Sequence, residues 1–500
     1  MALQYTRGFM RFIPHITGKA IARSMMHSTV SIPNMSIDQW TEAFKEQTID
    51  VARMDVDNVS YEESANRLRS LIKTGLLRHT DLLHCPERFF LAHRLLAQHS
   101  PSLGPGFWIR FTVHYNLCAG TVLGLGNDEQ IASLDQMQEN GELGCFSLTE
   151  KFAGVNSGMI VNTVAEWDGA TEEFVLNSPH KGAHKNWISQ GLVADKTVVV
   201  ADLRMNGKSF GPHAFLTDLR KKGELVPGVT LGDMGPKTVG NDLDNAWIAF
   251  EELRVPRSAL LNRYADIVKG DSGEHEYVQK IDNMPVFHMI GQRLFTGRVA
   301  VAQAALEFRR ELFRTTKKYT DEKLCWSPRG EGSVPLSDIP QLRQLYTEAE
   351  DVCGQVENFV KACEEDLCAT LRSNSVPSVK LVEAIAVAKV KAVEEAITYT
   401  HQLKNEVGSY ALMKQTGFGQ TDFLQCCKFA EGDSRILMQK MARDRMKVFS
   451  ASPEASATGC DPRWDRETQL CHALQGAMQD DISSARALNK HDAWDLRWEE

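Results

Sequence analysis

No apolar stretch in the chain approaches the roughly 18 to 20 residues needed to cross a bilayer, which speaks against a membrane-spanning protein. No long Lys/Arg cluster is present, the formal net charge is −9, and the sequence pI is near 6.0. The electrostatic footprint of a nucleic-acid binder is therefore missing, and no nucleic-acid partner is expected. There is no C-x-x-C and no C-x-x-C-H among eleven cysteines, an odd number in a chain too large to need disulfide staples. A reducing compartment follows, with the adjacent Cys426 and Cys427 read as packing rather than as a redox or metal pair. An H-E-x-x-H glutamate is also lacking. His180 and His184 are four apart but have no obvious third ligand, so no metal site is expected. No repeat with a period of roughly 20 to 50 residues appears.

Acidic residues are absent from Met1 to Ile37, where Arg7, Arg11, His15, Lys19 and Arg23 recur every fourth position among Phe9, Phe12, Ile13, Ile16 and Ile21. Residues 1–35 thus read as an amphipathic mitochondrial presequence, the other reading being a disordered basic tail, and a mitochondrial matrix location is expected. The chain finishes Leu496-Arg497-Trp498-Glu499-Glu500, which is not an S-K-L peroxisomal address.

Periodicity divides the rest. Residues 36–140 read as helices: Leu68, Leu71, Ile72 and Leu76, then Leu82, Leu83 and the stretch from Phe89 to Leu96, lie near helical spacing. Between 141 and 256 the runs Thr171 to Asn177, Thr197 to Asp202, His213 to Asp218 and Trp247 to Phe250 are β-branched or aromatic. Turn residues such as Asp168-Gly169 and Asn206-Gly207 separate them, predicting a small antiparallel, barrel-like β domain. Helical spacing returns over 257–450. Arg298 to Tyr319 and Val379 to Lys404 are long, Ala-, Leu-, Glu- and Lys-rich and free of proline, as in bundle helices. Residues 451–500 read as a linker and polar tail. The expected fold is α+β and multidomain: helical, β, then helical bundle.

Two motifs fail on context. Gly207-Lys208-Ser209-Phe210-Gly211 matches the G-x-S-x-G nucleophile elbow, but it lies between two strand-like runs and its glycines suit a hairpin. Gly124-Leu125-Gly126 lacks the third glycine and the βαβ flanks of a dinucleotide site, and reads as a turn.

The informative residues are distributed: Thr149-Glu150 at the entrance to the β domain, Lys185-Asn186-Trp187-Ile188-Ser189 within it, and Phe429-Ala430-Glu431-Gly432-Asp433 late in the helices. Singly each is weak, since Trp187 suits a core and Glu431 a helix end. In this order, on a helical, β, helical layout, the chain from about Ser36 to Lys447 resembles the acyl-CoA dehydrogenase and acyl-CoA oxidase superfamily. The segments Glu173 to Pro179, Gly211 to Phe215 and Gly232 to Lys237 look like the oxidases, whereas Lys185 to Ser189 looks like the dehydrogenases' K-x-W-I-T/S.

The resemblance implies FAD, a fatty acyl-CoA substrate and a trans-2-enoyl-CoA product, the first step of fatty acid β-oxidation. It places the catalytic base at Glu431, a carboxylate suited to removing an α proton. Thr149, Trp187 and Ser189 match flavin contacts, and Arg298, with Arg293 as the competing register, matches an arginine associated with substrate recognition. Departures accompany these matches. Val155 stands where the dehydrogenases carry a serine to the FAD pyrophosphate, so Asn156 or Ser157 replaces it. Lys323 fills an arginine position after Tyr319, and the glycine-rich turn is reduced to Asn405 to Tyr410. The acceptor stays open between O₂, as in a peroxide-producing oxidase, and an electron-transferring flavoprotein. The presequence-like start tips the balance to the dehydrogenase reaction in an oxidase-like sequence. A homodimer or homotetramer is implied, and a non-catalytic structural subunit that keeps the fold is the competing class.

Overall fold

The computed structural model describes residues 32, 35–52, 58–154, 160–271, 273–281, 294–326, 332–456 and 461–498. The first helical part contains α1 (Ile37–Thr48), α2 (Tyr61–Thr74), α3 (Asp81–His84), α4 (Pro86–Leu103), α5 (Gly106–Thr112), a π-helical turn (Val113–Ala119), α6 (Gly120–Leu125) and α7 (Asp128–Asn140). Its boundaries follow local chemistry. Ser36 with Gln39 and Asn127 with Gln130 form capping boxes at the starts of α1 and α7, and Gly75 and Gly141 end α2 and α7 in the left-handed conformation. Gly124 and Gly126, expected in a turn, lie in the last turn of α6 and at its cap.

The middle part is a curled sheet in the order β1-β5-β2-β3-β11, with β6 paired to β5, and a smaller sheet β4-β10-β9. These strands are β1 (Gly144–Ser147), β2 (Val164–Asp168), β3 (Glu173–Asn177), β4 (Lys185–Ser189), β5 (Lys196–Met205), β6 (Lys208–Asp218), β9 (Val229–Asp233), β10 (Asn245–Phe250) and β11 (Leu253–Pro256), while β7 (Arg220–Lys221) and β8 (Glu224–Leu225) pair only with each other. Most pairings are antiparallel, but β1 and β2 both run parallel to β5. The sheet is thus mixed where an antiparallel one was expected. A parallel neighbour needs a long crossover, and the whole β2 to β4 excursion supplies it between β1 and β5. The G-x-S-x-G segment is the β5–β6 hairpin: Asn206 (φ 54°) and Gly207 (φ 76°) make its turn, and the Ser209 hydroxyl donates to Asp202 Oδ1 at 2.5 Å.

Beyond the sheet, β12 (Ala265–Lys269) and β13 (His275–Gln279) form a ribbon, and β14 (Leu324–Trp326) with β15 (Ser333–Pro335) follow α8 (Leu294–Glu322). The bundle is α8, α9 (Pro340–Arg372), α10 (Val379–Glu406), α11 (Asp422–Phe429) and α12 (Ser434–Ser450). α8 packs on α4, α9 and α10. Residues 461–498, read as a polar tail, instead fold into α13 (Arg466–Ser483) and α14 (Lys490–Arg497). Asp481 holds this hairpin together by accepting from Arg497, and Trp494 packs beside Met478 and Ala493. One buried apolar cluster runs from Trp40 through Val198 and Phe215 to Phe308 and Cys427, so the helical and β parts share a core.

The first helical part is tied to the β part by a buried arginine. Arg110 of α5 pairs with Asp244 at 3.3 Å, both side chains fully enclosed, and donates to the Asp242 carbonyl at 3.0 Å and to Ser64 Oγ at 3.2 Å. Gly106 is required beside it, because a Cβ there would collide with the Asp242 carboxylate. Truncating one partner leaves a buried charge uncompensated. Arg110→Ala is therefore expected to lower unfolding stability by about 3–5 kcal/mol in denaturant melts, whereas an exposed ion pair such as Lys391–Glu395 is worth about 0.5 kcal/mol or less.

Candidate active site

Glu431 and Gly432 form the reversal between α11 and α12, with φ of 58° and 95°. Left-handed backbone at a non-glycine residue costs about 1–3 kcal/mol and persists only where its surroundings over-determine it. Two cations do so here. Lys389 of α10, fully buried, donates to the Lys428 carbonyl at 2.7 Å, the Gly432 carbonyl at 3.1 Å and Ser434 Oγ at 3.0 Å. Arg298 of α8 donates through Nε to the Glu431 carbonyl at 3.0 Å. Burial pulls the Lys389 ammonium down to about 8 and the Arg298 guanidinium to about 10, so both remain largely charged at neutral pH.

The Glu431 carboxyl group lies flat against α8 at Gly297, where a Cβ would collide with it. Oε1 accepts from Asn116 Nδ2 at 3.2 Å. Oε2 is enclosed and has no hydrogen-bond partner among the described residues. Burial raises this carboxyl group to about 7, against the opposing pull of Arg298, the Asn116 amide and Lys389. Asn116 itself sits in the π-helical turn, and Thr296 Oγ1 donates to its Oδ1 at 2.6 Å. The site is thus assembled from the π turn, the first turn of α8 and the α11–α12 reversal. It holds a carboxyl group whose proton affinity burial has raised and one of whose oxygens is unpartnered among the described residues.

In the β part a buried ion pair organises two adjoining segments. Lys185 and Glu150 meet at 2.9 Å with both side chains fully enclosed. The ammonium also donates to the Leu148 and Val200 carbonyls, and Glu150 accepts from Thr163 and Asn162. Every polar atom of the pair is satisfied, the condition under which a buried pair is tolerated. Burial lowers the Lys185 ammonium to about 8, partly offset by Glu150. The pair brings Thr149 beside β4, where the Asn186 N–H donates to the Thr149 carbonyl at 2.8 Å. Trp187, at φ 58°, keeps 57% of its surface exposed, an uncommon state for an indole on a strand. Ser189 is half-buried two residues on, and its hydroxyl is 3.4 Å from Asn245 Oδ1.

The structure therefore gathers Glu431 and Arg298 in one place and Thr149, Trp187 and Ser189 in another. Asn156, Ser157 and Arg293 lie outside the described residues. Lys323 is exposed at the end of α8, where Tyr319 stacks on Tyr410 at 3.7 Å, so the two segments that depart from the resemblance are neighbours. His180 stacks on Phe152 and His184 on Trp247. Asn116, Thr296 and Gly297 were missed by sequence reasoning. The one available signal was Gly297, a residue costing about 1 kcal/mol relative to Ala inside a helix-forming stretch.

No family model matches the chain. Its sequence relatives include acyl-CoA oxidases. The Kluyveromyces lactis acyl-coenzyme A oxidase is 27% identical over 379 residues, 70% of this chain and 50% of the relative. Peroxisomal acyl-coenzyme A oxidase 3 of Homo sapiens is 25% identical over 390 residues, 75% of this chain and 54% of the relative. The chain spans about half the length of the curated relatives it matches. In fold it matches acyl-CoA oxidase-2 of Caenorhabditis elegans, solved bound with FAD, ascaroside-CoA and ATP, at a TM-score of 0.71 and 19% identity over 97% of this chain and 78% of that one. Butyryl-CoA dehydrogenase of Megasphaera elsdenii gives 0.61 at 19% identity, over 81% of this chain and 97% of that one. The fold is that of acyl-CoA oxidases and dehydrogenases. The expected mitochondrial matrix location is overturned: the human relative, and an Arabidopsis thaliana relative 33% identical over 237 residues, 46% of this chain and 34% of the relative, are named peroxisomal. The basic segment on which that expectation rested is, except for Ile32 and Met35, outside the described residues.

Gly297→Ala tests the geometry directly. The added methyl group is expected to leave α8 intact, since Ala is the better helix former, and to displace the Glu431 carboxyl group from α8 in a crystal structure of the variant. A carboxyl group that has not moved would contradict the packing described.

Proposed function

We propose that the chain binds FAD and a fatty acyl-CoA and desaturates the thioester to trans-2-enoyl-CoA, with Glu431 as the base and O₂ as the electron acceptor. The observation that carries this is the enclosed, unpartnered Oε2 of a carboxyl group raised to about 7. A base works best when its pKa lies near the working pH, and an unpaired buried oxygen is poised to accept a proton. Glu431 takes the α proton at Oε2, while its backbone N–H is assigned to the thioester oxygen, where charge develops as that proton leaves. Arg298 is bonded to the carbonyl of the base itself, which favours a role in holding the reversal that presents Glu431.

The β part fits a planar cofactor. Trp187 is exposed and held on strained backbone beside a fully satisfied ion pair, which supports Thr149, Trp187 and Ser189 as the residues that hold the flavin. Asn156, Ser157 and Lys323 are assigned to the rest of FAD by the resemblance alone. When bound, FAD supplies the acceptor for the β hydrogen and its electron pair. Oxygen is favoured over an electron-transferring flavoprotein because sequence relatives are oxidases, and the human and Arabidopsis thaliana relatives, named peroxisomal, support a peroxisomal location. Exposed Leu324 and Trp326 follow Tyr319, and exposed Leu412 and Met413 follow Tyr410, its stacking partner, an apolar surface that supports a homodimer or homotetramer.

The test is an absorption spectrum of the FAD-loaded protein under nitrogen, before and after a saturated acyl-CoA, followed by air. Bleaching of the flavin band and rapid recolouring with peroxide are expected; persistent bleaching would instead mean a dehydrogenase. A protein that takes up no FAD would favour the structural-subunit class. Glu431→Gln is expected to slow bleaching by about 10²–10⁴-fold with folding little changed. The active base is the ionised form, present above its pKa, so in the wild type the bleaching rate should rise with pH through about 7 and level off above it. A rate independent of pH across that range would contradict the assignment.

A further inference from the structure

Asn116 is a fully buried polar side chain in the π-helical turn, and its side-chain hydrogen bonds reach two other elements, at Thr296 and Glu431. Its two amide ends are both committed. Thr296 Oγ1 donates to Oδ1 at 2.6 Å, and an amide oxygen only accepts, so the NH₂ end is the one turned to Glu431 Oε1 at 3.2 Å. Without the Thr296 hydroxyl, Oδ1 would lose its donor and the amide its anchor, so that the NH₂ end would no longer be held against the carboxylate.

The backbone beneath Asn116 is equally committed. Val113–Ala119 is π-helical, a rare turn that inserts one extra residue and so rotates every later side chain onto a different face; such turns recur at functional sites. The turn is held from behind by His114. The Gly144 N–H donates to His114 Nδ1 at 3.1 Å, which leaves the proton on Nε2, 2.7 Å from His79 Nε2. His79 then carries its proton on Nδ1, 3.0 Å from the Leu134 carbonyl. Both rings are neutral and fully bonded, and burial keeps them so, with His79 lowered to about 4 and His114 also well below its usual value.

We infer that Asn116 is a positioning residue for Glu431: its amide occupies Oε1 and so leaves Oε2 as the only free oxygen, while Thr296 fixes which end of the amide faces the carboxylate. This rests on the reading of Glu431 as the base. The charged groups facing Glu431 are Arg298 from α8 and Lys389 from α10; from the π turn it meets only the neutral Asn116. Arg298 and Lys389 hold the backbone of the reversal and Gly297 makes room for the carboxyl group, so Asn116 is the polar group that orients its oxygens. A neutral donor stabilises the ionised carboxylate, and its removal raises the pKa.

The experiment compares Asn116→Ala, Thr296→Val and Thr296→Ser in two ways. The first follows the Glu431 carboxyl band by infrared titration, with Glu431→Gln identifying the band. The second records the pH at which acyl-CoA bleaches the flavin at half its maximal rate. Asn116→Ala and Thr296→Val are expected to move both midpoints upward by about one to two pH units, and Thr296→Ser to leave both at the wild-type value. Unmoved midpoints in Asn116→Ala, or equal shifts in Thr296→Val and Thr296→Ser, would overturn the inference. If Asn116→Ala does not fold, the Thr296 pair decides it. The infrared midpoint needs no turnover. A shifted band in a protein whose wild type never bleaches would therefore sink the proposed reaction while the positioning role stands.

Discussion

An unpartnered carboxylate oxygen enclosed by protein is costly, because burial removes water without returning a hydrogen bond. Much of the helical architecture around Glu431 serves to keep it in that state. Gly297 makes room for the carboxyl group against α8, Asn116 satisfies one oxygen only, and Lys389 and Arg298 pin the left-handed reversal on which the residue sits. The consequence is a group near neutrality in its proton affinity, with burial the dominant cause. A fully hydrogen-bonded glutamate would be a weaker base at the same position.

The β part solves the complementary problem of holding an exposed aromatic surface still. The Lys185–Glu150 pair is fully buried and fully bonded, so it costs less than an incomplete pair and locks β4 against the segment carrying Thr149. Trp187 is left outward on strained backbone, which a packed core residue would not require. Arg110 and Asp244 then register the β part on the first helical part, and the shared apolar cluster completes the coupling. Both groups of residues are thereby carried on one core.

How much of this was legible in the sequence varied with the range of the interaction. The long helices and the β runs were, because their periodicity is local: Val379 to Lys404 and Thr197 to Asp202 fall inside α10 and β5. Glu431 and Trp187 were singled out by order and spacing, and Arg298, with Arg293 as the competing register, by the resemblance alone. The parallel pairing of β1 with β5 was not legible, since it depends on which strand returns to which neighbour. The tail helices were hidden by a polar surface, their few apolar contacts lying between Met478, Ala487 and Ala493. Asn116 was invisible for a further reason. A π turn breaks the helical period from which faces are inferred, and the partner of Asn116 lies 315 positions along the chain.

The central claim is that Glu431 removes a proton from the carbon next to a thioester. The most direct measurement is loss of deuterium to solvent from an α-deuterated acyl-CoA analogue whose β carbon is replaced by sulfur, so that proton abstraction is read without electron transfer. With the FAD-loaded protein, washout should be rapid, should grow with pH through about 7, and should be abolished in Glu431→Gln. Retention of deuterium by the wild type, or equal washout in the variant, would contradict it.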